Sequence, residues 1–260
     1  MARFKGKTVV VTGCASGIGA QTARVLSDAG AHVLGADLQE PEEFNNFFRV
    51  DIGSRESIDA FIGALPDNID GLANIAGVPP THSPEQVIKV NLVGTIYLTK
   101  SILPKLKNGA AIVNTSSIAG YHWQQSVDQI TDALSLDFDG IGSFVRTHNI
   151  DKQLGRSYFL TKEALIVWTI QTLKAWSNHG IRMNCVSPGG VATPLLESFA
   201  DMFGDRAKRD IDAVERVGQP ADIAPVIAFL LSDDSAWIRG ANIPVDAGVA
   251  AGYLAGEFKL

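Results

Sequence analysis

Short apolar runs alternate with longer stretches of helical periodicity from the start of the chain almost to its end. This alternation is typical of βαβ units, in which helices cover both faces of a parallel sheet. It predicts one α/β domain over residues 1–260, built on a doubly wound parallel sheet of about seven strands. The predicted strands are Thr8–Thr12, His32–Ala36, Phe47–Val50, Leu72–Ile75, Ala111–Ser116, Arg182–Ser187 and Ile243–Val245.

One segment, from about 118 to 156, interrupts this alternation. It is too long for a structureless loop, and it contains strings such as "SVDQITDAL" and "IGSFVRTHNI" that are typical of short helices. We therefore expect a helical insertion at the active edge of the sheet. After it, the clearest helical pattern begins near Ser157 and ends at an "NHG" sequence. No repeat or Pro/Gly-rich linker indicates a second domain.

The composition narrows the class of protein. With 46% hydrophobic residues in 260, the chain can bury a large core. A net charge of −6 offers no basic field for nucleic acid or an anionic membrane surface, so neither is an expected partner. Cys14 and Cys185 make neither a disulfide framework nor a metal cluster, and no apolar run approaches the ~18 residues of a spanning helix. We expect a soluble, cytoplasmic protein without a metal.

The string "TGCASGIG" follows the first predicted strand and opens a helix. Its glycines, Gly13, Gly17 and Gly19, stand where side chains would keep backbone N–H groups away from a pyrophosphate. The positive end of the helix would then hold that pyrophosphate. Although a glycine pattern alone is weak, its position between strand and helix predicts a dinucleotide site of a Rossmann fold.

Asp37 ends the second predicted strand, 18 residues after Gly19. A carboxylate there can accept hydrogen bonds from both hydroxyls of the adenosine ribose, whereas it would repel a 2′-phosphate. Leu38 follows, and the glycine turn contains no Lys or Arg that could bind that phosphate. These features favour NAD over NADP as the cofactor. The alternative is that Asp37 only caps the end of an element.

The string "YFLTK" sets Tyr158 and Lys162 four residues apart, on one face of a helix. A free phenol has a pKa of about 10 and is a poor base at neutral pH, but a nearby ammonium can lower that pKa. Such pairs also occur by chance on exposed helices. Here the strand "AIVNTSSIAG" brings Ser116 and Ser117 to the same sheet edge, which favours a catalytic site.

The T-G-x-x-x-G-x-G spacing of the glycine turn resembles that of the short-chain dehydrogenase/reductase family. The resemblance extends over essentially the whole chain: "NIAG" from Asn74 to Gly77 is similar to the family's N-N-A-G, with Ile75 as a departure, and "NLVG" contains its asparagine, Asn91. It also selects Ser117 over Ser116 as the active-site serine. The catalytic residues that it implies are Asn91, Ser117, Tyr158 and Lys162.

For these four residues the resemblance implies the family's roles. Tyr158 takes the proton of an alcohol, or returns it to a carbonyl, while Ser117 binds the substrate oxygen. Lys162 lowers the pKa of the tyrosine and holds the nicotinamide ribose, and Asn91 anchors a water molecule. The implied cofactor-binding residues are Gly13, Ser16, Gly17, Ile18, Gly19, Asp37, Leu38, Asp51, Ile52, Asn74, Ala76, Gly77, Tyr158, Lys162, Pro188, Gly189, Val191 and Thr193.

Two features bear on the substrate. Ser117 and Tyr158 are 41 residues apart. This long separation is similar to that in a subgroup that contains coniferyl-alcohol dehydrogenases and bacterial 3α-hydroxysteroid dehydrogenase/carbonyl reductases. Residues from about 192 to 216 resemble the segment that forms a lid over the substrate, and their apolar side chains suit a bulky hydrophobic substrate. An aromatic alcohol of the coniferyl type is the first expectation and a 3α-hydroxysteroid or carbonyl compound the second. A non-catalytic NAD-binding regulator is a third possibility.

Assembly and the remaining histidines complete these expectations. The resemblance implies a homodimer or homotetramer, and the insertion, beside the helix of Tyr158, favours the dimer. His122 follows Ser117 closely enough to line a pocket, but we assign it no catalytic role. His179 stands in the "NHG" string, where it would interact with a helix dipole.

Overall fold

The structure is a computed structural model that describes residues 3–41, 46–204 and 214–260. Within these ranges, seven parallel strands form one sheet in the order β3-β2-β1-β4-β5-β6-β7. This is the α/β architecture that the hydrophobic pattern predicts. The strands are β1 (Thr8–Thr12), β2 (His32–Asp37), β3 (Phe47–Arg49), β4 (Ile69–Asn74), β5 (Leu106–Thr115), β6 (Arg182–Pro188) and β7 (Asn242–Val245).

Helices cover both faces of the sheet, and the sheet separates two apolar cores. Among the described helices, none combines the length and the apolar character needed to cross a membrane. The α-helices are α1 (Gly17–Asp28), α2 (Arg55–Ala64), α3 (Pro84–Ile88), α4 (Thr95–Ser101), α5 (Val127–Leu134), α6 (Ile141–Thr147), α7 (Arg156–Gln171), α8 (Leu173–Asn178), α9 (Pro194–Phe203), α10 (Pro220–Leu231) and α11 (Val249–Phe258).

The strand order places a cleft at the centre of the sheet. The chain winds outward in one direction from β1 to β3 and then in the other from β4 to β7, so the crossover connections diverge between β1 and β4. Ligands of open parallel sheets bind at this divergence, beyond the carboxyl ends of the strands. The predicted glycine turn, Asp37 and the serines all lie at those ends.

The predicted insertion is helical. It contains α5 and α6 with short 3-10 turns before and after them. Its apolar side chains join the core on the side of α7, and as a result the residues 157–169 of α7 are buried apart from Phe159. The buried side chains of the insertion's helices are Ile130, Ala133, Ile141, Phe144 and Val145.

The long predicted helix beginning near Ser157 is in fact two helices, α7 and α8, which meet at Thr172. The Thr172 hydroxyl donates to the Trp168 carbonyl at 2.6 Å and accepts from Trp176 Nε1 at 2.9 Å. A helix bends where a threonine hydroxyl donates to the carbonyl four residues earlier. The pattern of apolar positions does not depend on this bond, so it could not predict the break. The predicted lid is helical over α9, and its positions 205–213 lie outside the described residues.

Candidate active site

A cavity of about 1060 Å3 opens along the carboxyl ends of the strands. The glycine turn and Asp37 line one end, Ser117, Tyr158 and Lys162 the middle, and the lid helix α9 the other end. Every residue predicted to bind the cofactor lines this cavity except Asn74. Of the four predicted catalytic residues, the structure brings Ser117, Tyr158 and Lys162 into it.

Close packing within the protein leaves no room for side chains at Gly13 and Gly19 of the glycine turn. Gly13 and Gly17 have left-handed backbones, with φ of +72° and +53°, and a Cβ on Gly13 would lie 2.8 Å from the Ala76 nitrogen. A Cβ on Gly19 would overlap the Gly13 carbonyl oxygen. The sequence predicts that these glycines allow a ligand to approach the backbone. The structure adds a second reason, which is that the turn itself packs too closely for side chains.

This turn fits a pyrophosphate. The N-terminus of α1 borders the cavity, the first turn of α1 contains no acidic side chain, and the side chain of its N-cap Ser16 makes no capping bond. Unpaired backbone N–H groups at a helix N-terminus bind anions, and the helix dipole adds to the attraction. The residues present therefore match the phosphate groups of a dinucleotide.

The Asp37 carboxylate is fixed in place beside this turn. Its Oδ2 accepts from the Ala15 nitrogen at 3.0 Å, and its Oδ1 accepts from the Gln39 nitrogen at 3.1 Å. Each carboxylate oxygen has a second lone pair that can accept from a ligand hydroxyl. Arg49, which the sequence analysis did not consider, donates from Nη1 to the Leu38 carbonyl at 2.7 Å and so brings a positive charge close to Asp37.

The two neighbouring serines have different environments. Ser116 Oγ donates to the Lys162 carbonyl at 2.7 Å, and Ser116 is 3% exposed. Ser117 instead interacts with the Tyr158 phenol and accepts from the Ala119 nitrogen at 3.2 Å. Ser116 therefore fastens α7 to the end of β5, whereas Ser117 is the serine that contacts the Tyr158 phenol.

Burial governs the acid–base properties of Tyr158 and Lys162. It raises the pKa of the Tyr158 phenol well above its ordinary value, and the hydrogen bond with Ser117 lowers that pKa in part. Burial also lowers the pKa of Lys162 to about 8. Lys162 Nζ donates to the Thr115 carbonyl at 2.9 Å and lies 5.4 Å from the centre of the Tyr158 ring. The contact with Ser117 is thus one that lowers the pKa of the phenol, and the predicted effect of Lys162 on that pKa stays a prediction.

The two predicted asparagines lie behind the cavity wall. Asn91 accepts from the Val78 nitrogen at 2.8 Å and donates to the Val78 carbonyl at 2.9 Å, which uses its amide to hold the loop after β4. Gly77 lies close to Asn91, because a Cβ on Gly77 would be 3.2 Å from Asn91 Oδ1, a tight contact that Asn91 would have to relieve.

Asn74 is buried in a chain of side-chain hydrogen bonds. Its Nδ2 donates to Thr99 and to Asn114, both at 2.8 Å, and Asn114 in turn donates to Thr169 at 3.0 Å. The amide thereby joins β4 and β5 to α4 and α7. These partners of the side chain belong to the core, so the cofactor contact predicted for Asn74 is one for its backbone to make.

The lid helix closes the apolar end of the cavity with aromatic rings. Phe199 packs edge-on against Tyr158 at 4.8 Å between ring centres, and Phe203 lies 5.1 Å from Phe199. Phe203 also contacts Phe159, at 5.6 Å. Its ring occupies the space where a Cβ of Gly155 would stand. A substrate whose oxygen reaches Tyr158 would therefore lie against an apolar surface.

The C-terminal helix α11 supplies a wall that the sequence analysis missed. Tyr253 of α11 and His122 both line the cavity, with their rings stacked at 5.7 Å between centres and 27° between planes. Tyr121 packs edge-on against both rings, and His122 Nδ1 lies 3.2 Å from Glu257 Oε1. Tyr253 follows His122 by more than a hundred residues, so no local pattern could reveal this contact.

A buried ion pair beside the cavity was also missed. The Arg156 guanidinium donates to Glu163 Oε1 at 3.0 Å, reaches its Oε2 at 2.9 Å, and donates from Nε to Gln129 at 2.8 Å. The side chain of Glu163 is 6% exposed. Since Gln129 belongs to α5, the pair fastens the insertion to the first turns of α7. The sequence features that could have indicated this ion pair are a glutamate directly after Lys162 and an arginine two residues before Tyr158.

The cysteines take no part in the chemistry of this cavity. Burial raises the pKa of the Cys14 thiol to about 12, with the Asp37 charge as a second cause, and burial raises that of Cys185 to about 12 as well. A thiol that stays protonated is a poor nucleophile. Within the described ranges, no group of three or more His, Cys, Asp or Glu side chains is arranged to hold a metal ion.

Comparison with known proteins gives consistent relatives. The family model for short chain dehydrogenases matches residues 7–128, and the model for Enoyl-(Acyl carrier protein) reductase matches residues 141–250. A coniferyl-alcohol dehydrogenase of Pseudomonas sp. (strain HR199) is 40% identical over 97% of this chain and 100% of that protein. The 3-alpha-hydroxysteroid dehydrogenase/carbonyl reductase of Comamonas testosteroni is 31% identical over 94% of this chain and 96% of that protein.

A solved structure resembles the fold closely. The 3-alpha-hydroxysteroid dehydrogenase from Pseudomonas sp. B-0831, solved with NADH, superimposes with a TM-score of 0.85 at 26% identity and covers 96% of this chain and 99% of that one. The resemblance therefore extends along the whole chain, including the insertion before Tyr158.

Proposed function

The chain belongs to the short-chain dehydrogenase/reductase family of oxidoreductases, and we propose that it transfers hydride between NAD(H) and a bulky hydrophobic alcohol or carbonyl compound. An aromatic alcohol of the coniferyl type is the proposed substrate. The observation that carries this proposal is the convergence of Ser117, Tyr158 and Lys162 in one cavity, between a pyrophosphate-binding turn and an apolar lid.

The chain's own residues manage the proton. A bound nicotinamide supplies the hydride donor or acceptor, which no amino-acid side chain can replace. Ser117 binds the substrate oxygen, and Tyr158 Oη receives the alcohol proton or returns it to the carbonyl. Because burial raises the pKa of Tyr158, its phenol stays protonated at neutral pH and suits carbonyl reduction. Alcohol oxidation, which needs the phenolate, gains as the pH rises.

Two further features support the choice of cofactor. Asp37 presents a fixed carboxylate where the adenosine ribose would lie, which opposes a 2′-phosphate by like-charge repulsion. Asp51, also at that end of the cavity, is held by the Gly53 nitrogen, which donates to its Oδ1 at 2.7 Å. Besides the glycine turn, Pro188, Gly189, Val191 and Thr193 border the middle of the cavity and would hold the nicotinamide.

Two observations support an aromatic substrate. The lid offers Phe199, Phe203 and two leucines to the cavity, and Tyr253 and His122 also line it. Aromatic rings pack well edge-on or offset-stacked against such walls. The name of the 40% identical relative, coniferyl-alcohol dehydrogenase, agrees with this class.

A 3α-hydroxysteroid or carbonyl compound is the second candidate. It is favoured by the superposition on the 3-alpha-hydroxysteroid dehydrogenase structure and by the name of the 31% identical relative. A cavity of about 1060 Å3 has room for either substrate class beside a cofactor. A non-catalytic NAD-binding role is disfavoured, because such a protein has no need of Ser117, Tyr158 and Lys162 together.

The experiment is an initial-rate panel of coniferyl and cinnamyl alcohols, 3α-hydroxysteroids and simple secondary alcohols, with NAD and with NADP. We expect NAD reduction with an aryl alcohol and a loss of at least about 100-fold in kcat for Tyr158→Phe. Tyr97→Phe is the control, since Tyr97 bonds Asp59 at the surface and does not line the cavity. NADH binding without turnover of any alcohol would favour the non-catalytic role, and a preference for steroids would favour the second candidate.

The described surface also bears on assembly. Because the insertion and its neighbours bury nearly all of α7 within one chain, little of this helix is left for a partner subunit. This supports a homodimer rather than a homotetramer, both of which the family resemblance allows. The molar mass measured by light scattering distinguishes the two.

A further inference from the structure

The cavity is lined by a polar group, the imidazole of His122, that the proposed chemistry does not use. His122 stands five residues after Ser117, and the two line the same cavity. Tyr158 and Ser117 handle the reacting oxygen of the substrate, so His122 faces some other part of any bound molecule. A short 3-10 turn, Ile118–Gly120, separates the two residues along the chain.

Its neighbours fix the orientation of the His122 ring. The ring stacks on Tyr253 and meets Tyr121 edge-on, at 4.9 Å between centres. Its Nδ1 lies 3.2 Å from Glu257 Oε1. A carboxylate only accepts hydrogen bonds, so the neutral tautomer that suits this contact has its N–H at Nδ1 and its acceptor at Nε2. Among the described residues, Nε2 of His122 has no hydrogen-bond partner, so it is available to a ligand.

We propose that His122, oriented by Glu257 and stacked on Tyr253, is a specificity-determining residue that accepts a hydrogen bond from a hydroxyl at the far end of an aryl alcohol. The phenolic hydroxyl of a 4-hydroxycinnamyl alcohol has this position, with its ring available to pack against Tyr253. The inference rests on the proposed function, since it names the polar group that the same cavity recognises.

The expected effect is modest because the site is half open. The side chains of His122 and Glu257 are 45% and 41% exposed, so water competes for the same nitrogen. A hydrogen bond in such surroundings changes affinity by about three- to tenfold. It forms before the reaction and remains during it, so it acts on KM more than on kcat.

The test compares 4-hydroxycinnamyl alcohol with cinnamyl alcohol, which differ only by the phenolic hydroxyl. In the unaltered enzyme we expect a KM about three- to tenfold lower for the hydroxylated alcohol. In His122→Phe, which keeps an aromatic ring against Tyr253 but removes the acceptor, the KM ratio falls to about one with kcat for cinnamyl alcohol retained. Glu257→Leu, which frees the ring, gives an intermediate ratio, and His122→Gln restores part of the preference.

His148→Phe is the matched control. His148 likewise lies 3.3 Å from a carboxylate, that of Asp132, and packs on an aromatic ring, that of Phe144 at 4.4 Å, but it does not line the cavity. This variant keeps the preference of the unaltered enzyme.

The outcomes separate the inference from the proposed function. Turnover of both alcohols with equal KM, or a preference that survives in His122→Phe, overturns the inference and leaves the proposed function standing. A loss shared equally by both alcohols in His122→Phe overturns it too, since that is the mark of a structural role. Turnover of neither alcohol overturns the proposed function and the inference with it.

Discussion

Gly19 and Gly155 show how differently the two ends of the cavity are built. A Cβ at either position would overlap a neighbour, but at Gly19 the neighbour is a backbone carbonyl, whereas at Gly155 it is the ring of Phe203 on the lid helix. A carbonyl inside a strand-to-helix turn cannot move without breaking the turn, while a side chain on one helix can. The cofactor end is thus made from backbone, and the substrate end from side chains of separate elements.

This difference explains what each end can do. Backbone N–H groups recognise the phosphates that all dinucleotides share, and they need one rigid arrangement. The substrate end combines the insertion, the lid α9 and the C-terminal helix α11, any of which can change without affecting the turn. We therefore propose that rings such as those of Phe199, Phe203 and Tyr253, which line the cavity, recognise a particular alcohol.

The largest effect is expected from Gly19→Ala. The added methyl group must displace the Gly13 carbonyl, so the turn opens, and we expect kcat/KM for the cofactor to fall at least about 100-fold, with about 1–3 kcal/mol lost from the free energy of unfolding. Cofactor titration and chemical denaturation measure the two losses. Gly63→Ala, on an exposed part of α2 with no described atom within 4 Å of the new Cβ, should instead be neutral or stabilising. Near-normal NADH affinity in Gly19→Ala would contradict the backbone-built turn.

Asp37→Ser sharpens the same comparison, because we propose that the Asp37 side chain decides between NAD and NADP at an end that is otherwise built from backbone. Loss of the carboxylate removes charge-assisted bonds to the ribose and should lower kcat/KM for NAD about 10- to 100-fold. It also ends the repulsion of a 2′-phosphate, and Arg49, close by on β3, can then attract one. Initial rates with NAD and NADP measure the change in preference.

Arg49 supplies the control for that change. In Asp37→Ser combined with Arg49→Gln, the gain with NADP should disappear while the loss with NAD persists. An unchanged NAD/NADP ratio in Asp37→Ser would mean that Asp37 only holds Ala15 and Gln39.

The contrast also accounts for what could be predicted from the sequence. The seven strands, the glycine turn and the positions of Ser117, Tyr158 and Lys162 follow from local patterns, because a strand end or a helix face is set by neighbours in the chain. The break at Thr172, the pairing of His122 with Glu257 and the packing of Phe203 against Gly155 depend on residues that meet only in the folded chain. The spacing of residues in the sequence does not predict such long-range contacts.

Asn74 shows a limit of another kind. Its place in the "NIAG" string predicts a cofactor contact by resemblance, and the structure adds that its side-chain Nδ2 donates to Thr99 and Asn114 inside the core. A motif can persist because it holds a sheet to its helices, and position in a motif does not say which way a side chain points.

The smallest effect, and the test of the mobile side-chain end, is expected from Gly155→Ala. The left-handed backbone at φ +68° costs about 1 kcal/mol for alanine, and the methyl group displaces the Phe203 ring, which weakens lid closure. We expect the KM for the alcohol to rise about three- to tenfold with little change in cofactor affinity, as steady-state kinetics with each ligand varied would show. Gly109→Ala carries the same backbone strain, at φ +87°, with no described atom within 4 Å, and should leave KM unchanged.

Phe203→Leu decides whether the lid is the cause. Combined with Gly155→Ala, the smaller side chain makes room for the methyl group, so the double variant should have a KM close to that of Phe203→Leu alone, a coupling that a double-mutant cycle measures directly. Independent, multiplied effects of the two substitutions would mean that Gly155→Ala acts through the start of α7, where Tyr158 lies. Coupled effects would mean that the contact between Phe203 and Gly155 controls how the lid holds the alcohol. That contact is made by a side chain that can move, whereas the contact at Gly19 is made by backbone that cannot.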